Sequence, residues 1–173
     1  VDAFVAGLLH DIGQLAMVVF QPGPFQEVLL NCDKATGLLE LERQHLGIDH
    51  TEAGSRILSR WGLPEAVCGV AEQHHDPDFD QTDDHARLLA IVMLADTLAQ
   101  VMGMGFDFHL DLATRSETAT RYLETTEADQ LFVLDRLEER VTSADGMLAA
   151  ADHGIADSSA RVSSAAGSGP QAA

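Results

Sequence analysis

The chain has 173 residues, 46% hydrophobic and 22% charged, which is enough for one domain with its own apolar core. Its 28 acidic residues against 10 basic ones leave a formal charge of -18, a surface that repels phosphate backbones and argues against direct nucleic-acid binding. Cys32 and Cys68 lie far apart, in no metal-type spacing, and read as free thiols of a cytoplasmic protein. The first residue is Val1 rather than Met, which reads as a fragment lacking upstream sequence, and no signal peptide is visible.

Helical periodicity dominates and strand patterns are nearly absent. From Ala3 to Phe20, Val5, Leu8, Ile12, Leu15 and Val19 share one helical face, opposite Gly7, His10 and Gln14. His10, Asp11 and Gln14 at the centre would be penalised in hydrocarbon, so this segment is expected to be a buried core helix rather than a membrane span. Gln21-Pro22-Gly23-Pro24 should break it, with a short helix following over Phe25 to Asn31 and another over Leu38 to Leu46, ended by Gly47. Asp49 is placed to cap the next helix, with Glu52 as its capping-box partner. That helix should close at Trp61-Gly62, with Trp61 packing inward as a core anchor. Pro64 opens a helix that ends at His74-His75. A polar loop over Asp78 to Asp84 leads to a nearly uncharged helix, Ala86 to Met102, broken by Gly103. Ser116 to Leu123 and Glu127 to Leu148 read as the last helices, before an Ala/Ser/Gly-rich tail. His45, His85, His109 and His153 sit in polar surroundings and should be exposed, as should Glu138, Glu139 and Arg140.

Two carboxylates stand out. Asp11 is the one charged residue between Ala3 and Phe20, and Asp96 the one between Leu88 and Met102. A carboxylate inside an apolar core costs several kcal/mol, on the order of the buried-ion penalty, unless it is paired, hydrogen-bonded or metal-bound. His10, His50, His74 and His75 are candidate partners. Imidazole and carboxylate together suit Fe, Mn, Zn or Ni, and paired ions of that sort can activate a water against a phosphoester. The alternatives are a hydrogen-bonded core network without metal, metal binding without catalysis, and a working hydrolytic centre. Neighbours on a helix diverge by about 100°, so His75 is expected to point away if His74 points in.

Leu9-His10-Asp11-Ile12-Gly13 resembles the signature of the HD superfamily of metal-dependent phosphohydrolases, and His50, His74, His75 and Asp96 match its later members. The stretch Glu42 to Pro64, ERQHLGIDHTEAGSRILSRWGLP, resembles the HDOD branch, with the similarity running over about Val1 to Met147. The resemblance implies a bacterial signalling module working through protein partners such as sensor or response-regulator domains. Two departures from the HD-GYP branch stand against catalysis. Gln14 replaces the lysine that follows its HDIG, and Asp76-Pro77-Asp78-Phe79-Asp80 stands where Gly-Tyr-Pro would follow the His pair.

The expected fold is therefore one all-α HD-type domain of about seven helices over residues 1–150, truncated at its N-terminus, with a disordered tail over 151–173. Its expected role is regulatory, through protein contacts, without nucleic acid or membrane. The rival is a divalent-metal phosphohydrolase acting on a nucleotide or cyclic dinucleotide. His10, Asp11, His50, His74, His75 and Asp96 are the candidate metal ligands, or else a vestigial polar core.

Overall fold

The computed structural model describes residues 3–32, 37–104 and 112–143. The expected tail, His109 and His153 lie outside the described residues. Among the described residues every regular element is helical, beginning with α1 (Ala3–Leu9), α2 (Ile12–Phe20), α3 (Pro22–Asn31), α4 (Leu38–Leu46), α5 (His50–Arg60), α6 (Glu65–Gln73), α7 (Ala86–Val101) and α8 (Leu112–Leu123). The chain divides into two units, Val1–Thr126, which holds α1 to α8, and Glu127–Ala173. In the second unit a helix runs over 127–143, with Glu138, Glu139 and Arg140 exposed as expected.

The all-helical expectation holds, but the first helix differs. It breaks at His10 and Asp11, which form a turn between α1 and α2. Its expected inward face is only partly inward: Ile12 packs against the core and Val5 is half-buried, but Leu8, Leu15 and Val19 are exposed, and the fully buried residues are Ala6, Gly13 and Met17. Ala3–Phe20 has a mean hydropathy of 1.7, apolar enough by composition to cross a membrane, yet only 17% of it is buried inside the protein. The buried-core-helix reading is therefore wrong for this segment. His10 and Asp11 meet their partners on the inward side, and Leu8, Leu15 and Val19 are left outside.

The helix ends follow local chemistry. Pro22 does not delay α3 but begins it, since a proline in the first turn forfeits no helical hydrogen bond. Gly47 ends α4 in the left-handed conformation at φ 77°, where a side chain would be strained. Asp49 caps α5 by accepting from the Glu52 backbone N–H at 2.9 Å. Glu52 does not reach back to complete the box; its carboxylate pairs with Arg56 instead. At the other end of α5, Trp61 is 62% exposed, against the expectation of a core anchor. Gly62, also left-handed, reverses the chain, and Leu63 takes the inward position beside Leu58, Val67 and Ala71.

The helices assemble as packed pairs, α5 on α6, α7 on α8, α2 on α5 and α3 on α4, with α1 against α6 and α7. Leu58, Val67 and Ala71 form one apolar cluster with Leu9 and Ile12 against it; Val28, Cys32, Leu38 and Leu41 form another. Neither cysteine is in a disulfide, as expected. The α2–α5 pair is close: a Cβ on Gly13 would stand 2.0 Å from the His50 carbonyl oxygen. That contact, which only glycine permits, sets His50 directly over the α1–α2 turn.

Candidate functional site: a buried histidine–carboxylate cluster

All six residues singled out from the sequence come together within the first unit. The α1–α2 turn carries His10 and Asp11, the start of α5 carries His50, the turn after α6 carries His74 and His75, and α7 carries Asp96. Asp11 Oδ1 lies 3.2 Å from His74 Nε2 and 3.5 Å from His50 Nε2. His10 Nε2 lies 3.4 Å from Asp11 and 3.8 Å from Asp96. His75 does not point away. Because α6 ends at Gln73, the two histidines stand in a turn rather than on a helix, and both are buried in the cluster.

Two members were not identified from the sequence. Glu42, on α4 and fully buried, accepts from the His50 backbone N–H at 2.9 Å and faces His50 Nδ1 at 2.7 Å. Its place just ahead of the stretch Gly47-Ile48-Asp49-His50 was legible only as part of the HDOD-like pattern. Arg115, on α8, is 0% exposed; its Nη1 lies 2.8 Å from His75 Nδ1 and its Nη2 2.6 Å from Asp96 Oδ2. Nothing in the local sequence of α8 marks Arg115, since a helix with charged residues every few positions reads as a solvated surface.

The charges are uneven. Burial lowers the proton affinity of His10, but the facing Asp96 and Asp11 carboxylates and the Gly7 carbonyl more than reverse this and raise its pKa to about 9. Burial likewise raises Asp11, and His74 together with the neighbouring imidazoles brings it down to about 2. Asp96 is held well below the usual carboxylate range: burial opposes ionisation, but His10, Gln100 and Arg115 outweigh it. His74 is shifted the other way, lowered chiefly by burial.

Asp11, His50, His74 and His75 each offer a donor atom within 4.8 Å of the others, the spacing of a metal set. Whether those atoms are free decides the fit. An arginine has five donors and no acceptor, so His75 Nδ1 must accept from Arg115 and the His75 proton sits on Nε2. That proton points at His50 Nε2, 3.1 Å away, whose lone pair it occupies. The lone pairs of His75 Nδ1 and His50 Nε2 are thus both taken by hydrogen bonds. His10 is the cationic member. What remains is Asp11 Oδ1 and His74 Nε2, both buried atoms without a hydrogen-bond partner. Two free donors fall short of the three or four that a protein usually supplies to a transition ion. As arranged, the cluster does not fit a resident metal ion.

A cleft of about 560 Å³ opens beside the cluster between α1 and α7, with Phe4, Leu8, Ile91 and Met104 on its walls and His10, Asp11, Gln14 and Asp96 among its polar lining. Among the described residues that line it there is no lysine or arginine. Gln14, at the position after Gly13, contributes a neutral amide.

Residues 1–77 match the HDOD domain, which is the segment carrying α1 to α6 and the His74–His75 pair. No curated protein matches the chain. Among solved structures, an HDOD domain protein of unknown function from Geobacter sulfurreducens is similar at 24% identity and a TM-score of 0.63, covering 82% of this chain. The chain spans about half the length of that protein, 50%. The chain thus carries HDOD sequence over residues 1–77, on an all-helical fold that an HDOD domain protein shares.

Proposed function

We propose that this chain is a regulatory HDOD module that acts through protein–protein contacts, and that its histidine–carboxylate cluster is a structural core rather than a hydrolytic centre. The observation that carries this is Arg115, a fully buried guanidinium hydrogen-bonded to His75 and ion-paired with Asp96. It engages two of the six candidate ligands, and it supplies from the protein the positive charge that an ion would bring. Hydrolysis of a phosphoester by this superfamily's chemistry needs paired ions and a charge complement for the phosphate. The cleft opposes an anionic substrate, since its lining sets Asp11 and Asp96 against the single cation His10, with no lysine or arginine among the described residues. The exposed apolar residues Phe4 and Leu8 on α1 and Leu15, Val19 and Phe20 on α2 support a role in contacts, because large exposed apolar side chains are what interaction sites present.

The second reading is a metal-dependent phosphohydrolase. It is favoured by one observation: Asp11 Oδ1 and His74 Nε2 face each other at 3.2 Å without a hydrogen bond. The His74 Nδ1 proton is directed at the Ala71 and Val70 carbonyls, 3.0 and 3.3 Å away, so two lone pairs oppose each other. A cation between them would relieve that.

Elemental analysis of the chain purified without chelator, combined with turnover of cyclic di-GMP and bis(p-nitrophenyl) phosphate, separates the two readings. The regulatory reading expects substoichiometric metal and no turnover. A near-stoichiometric transition metal with turnover, both lost in Asp11→Ala and Asp96→Ala, would overturn it.

A further inference from the structure

Five groups form a single line through the cluster: Glu42, His50, His75, Arg115 and Asp96. The contacts are Glu42 Oε2 to His50 Nδ1 at 2.7 Å, His50 Nε2 to His75 Nε2 at 3.1 Å, His75 Nδ1 to Arg115 Nη1 at 2.8 Å, and Arg115 Nη2 to Asp96 Oδ2 at 2.6 Å. Each end of this line has fixed polarity. Arginine can only donate, and a carboxylate can only accept. Between them, one assignment of the two imidazole protons satisfies every link.

We infer that Arg115 is a positioning residue that locks His75 in the Nε2–H tautomer and, through it, His50 in the Nδ1–H tautomer, and so withholds both histidines from a metal ion. Arg115 Nη1 donates to His75 Nδ1. His75 Nε2 donates to His50 Nε2, and His50 Nδ1 donates to Glu42. Arg115 Nη2 donates to Asp96, which the guanidinium also withholds. The inference deepens the structural-core reading proposed above, on which it rests: it names the residue that keeps the inherited ligand set closed. Arg115 is suited to this because burial leaves it no solvent to donate to, and the planar guanidinium reaches a histidine and a carboxylate at once.

The consequence is a ligand set that one substitution reopens. Arg115→Met keeps most of the apolar bulk and removes both donations. His75 can then present a lone pair at Nε2, and His50 Nε2 and Asp96 are released with it. Together with Asp11 and His74, the two histidines restore the set of four donors that lie within 4.8 Å of one another.

The test has two independent readouts on the whole chain. Long-range 1H–15N correlation spectra of the wild type are expected to show His75 as the Nε2–H tautomer and His50 as Nδ1–H. Zinc titration against a competing chelator is expected to give Arg115→Met at least a tenfold higher affinity than the wild type. His75 found as Nδ1–H would overturn the inference, as would equal zinc affinities in the two folded proteins. If Arg115→Met does not fold, the wild-type tautomers decide alone. Phosphodiester turnover by the wild type overturns the proposed function, whereas a wild type without turnover whose His75 is Nδ1–H overturns only the lock.

Discussion

Gly13→Ala adds one methyl group where α2 crosses α5. The new Cβ would stand 2.0 Å from the His50 carbonyl oxygen, 2.8 Å from its carbon and 2.9 Å from the Gly54 nitrogen. All three are backbone atoms, so no rotamer change relieves the clash, and the helices must part by well over an ångström to reach ordinary contact. Overpacking typically costs about 1–3 kcal/mol, and rigid backbone on backbone belongs at or above the top of that range. Alanine offsets about 1 kcal/mol of this through its better helix propensity. The net loss is roughly 2–3 kcal/mol, which in a unit of this size lowers Tm by about 6–12 °C. Gly54→Ala is the control, since its nearest neighbours would lie at 3.3 Å (Gly13 N) and 3.5 Å (Ile12 Cγ2), and it should melt close to the wild type. Thermal and urea melts followed by circular dichroism measure both. A Gly13→Ala protein that melts at or above the wild type would refute the steric argument and leave helix propensity as the larger effect.

Glu42→Ala should destabilise the first unit by about 2–4 kcal/mol, because it leaves two buried donors, the His50 Nδ1–H and backbone N–H, without their shared acceptor; a loss below about 1 kcal/mol in urea melts would show that water replaces the carboxylate. Asp96→Leu strands the Arg115 guanidinium in the core, so it should cost more than the double variant Asp96→Leu/Arg115→Met, and additivity of the two single losses in a double-mutant cycle would contradict this. Stability should depend on pH at both ends. His10, raised to about 9, contributes stability that is fully present below its ordinary value of 6.5 and is lost as pH rises through about 9. Asp11, lowered to about 2, contributes stability present above its ordinary 3.8 and lost as pH falls through about 2. Urea midpoints across pH and an NMR titration of the histidines check this, and a His10 that titrates near 6.5 would remove the alkaline limb. Trp61 is the sole tryptophan and is 62% exposed, so native fluorescence should already resemble that of the unfolded chain, and Trp61→Ala should change stability by less than about 1 kcal/mol. A strongly blue-shifted native emission would place the indole inside.

The features legible before folding were local or defined by scarcity. Gly47, Asp49, Gly62 and Gly103 end or cap their helices as their conformational preferences require, because such signals act within one turn. Asp11 and Asp96 drew notice because lone carboxylates in apolar helices need partners, and the structure places both beside His10. The His74–His75 pair was legible too, although the 100° rule misplaced His75 by assuming a helix where the chain turns. The tertiary structure decided which partners the carboxylates have. Arg115 reaches His75 across 40 residues of sequence, and no local pattern records a pairing that exists only because α8 packs on α7. The same holds for the exposed Leu8, Leu15 and Val19 of α1 and α2. Periodicity finds the apolar stripe of a helix, but it does not reveal that a buried histidine cluster on the opposite side claims the inward position. The isolated carboxylates thus pointed to a site, and the guanidinium delivered by packing sets the direction of its hydrogen bonds.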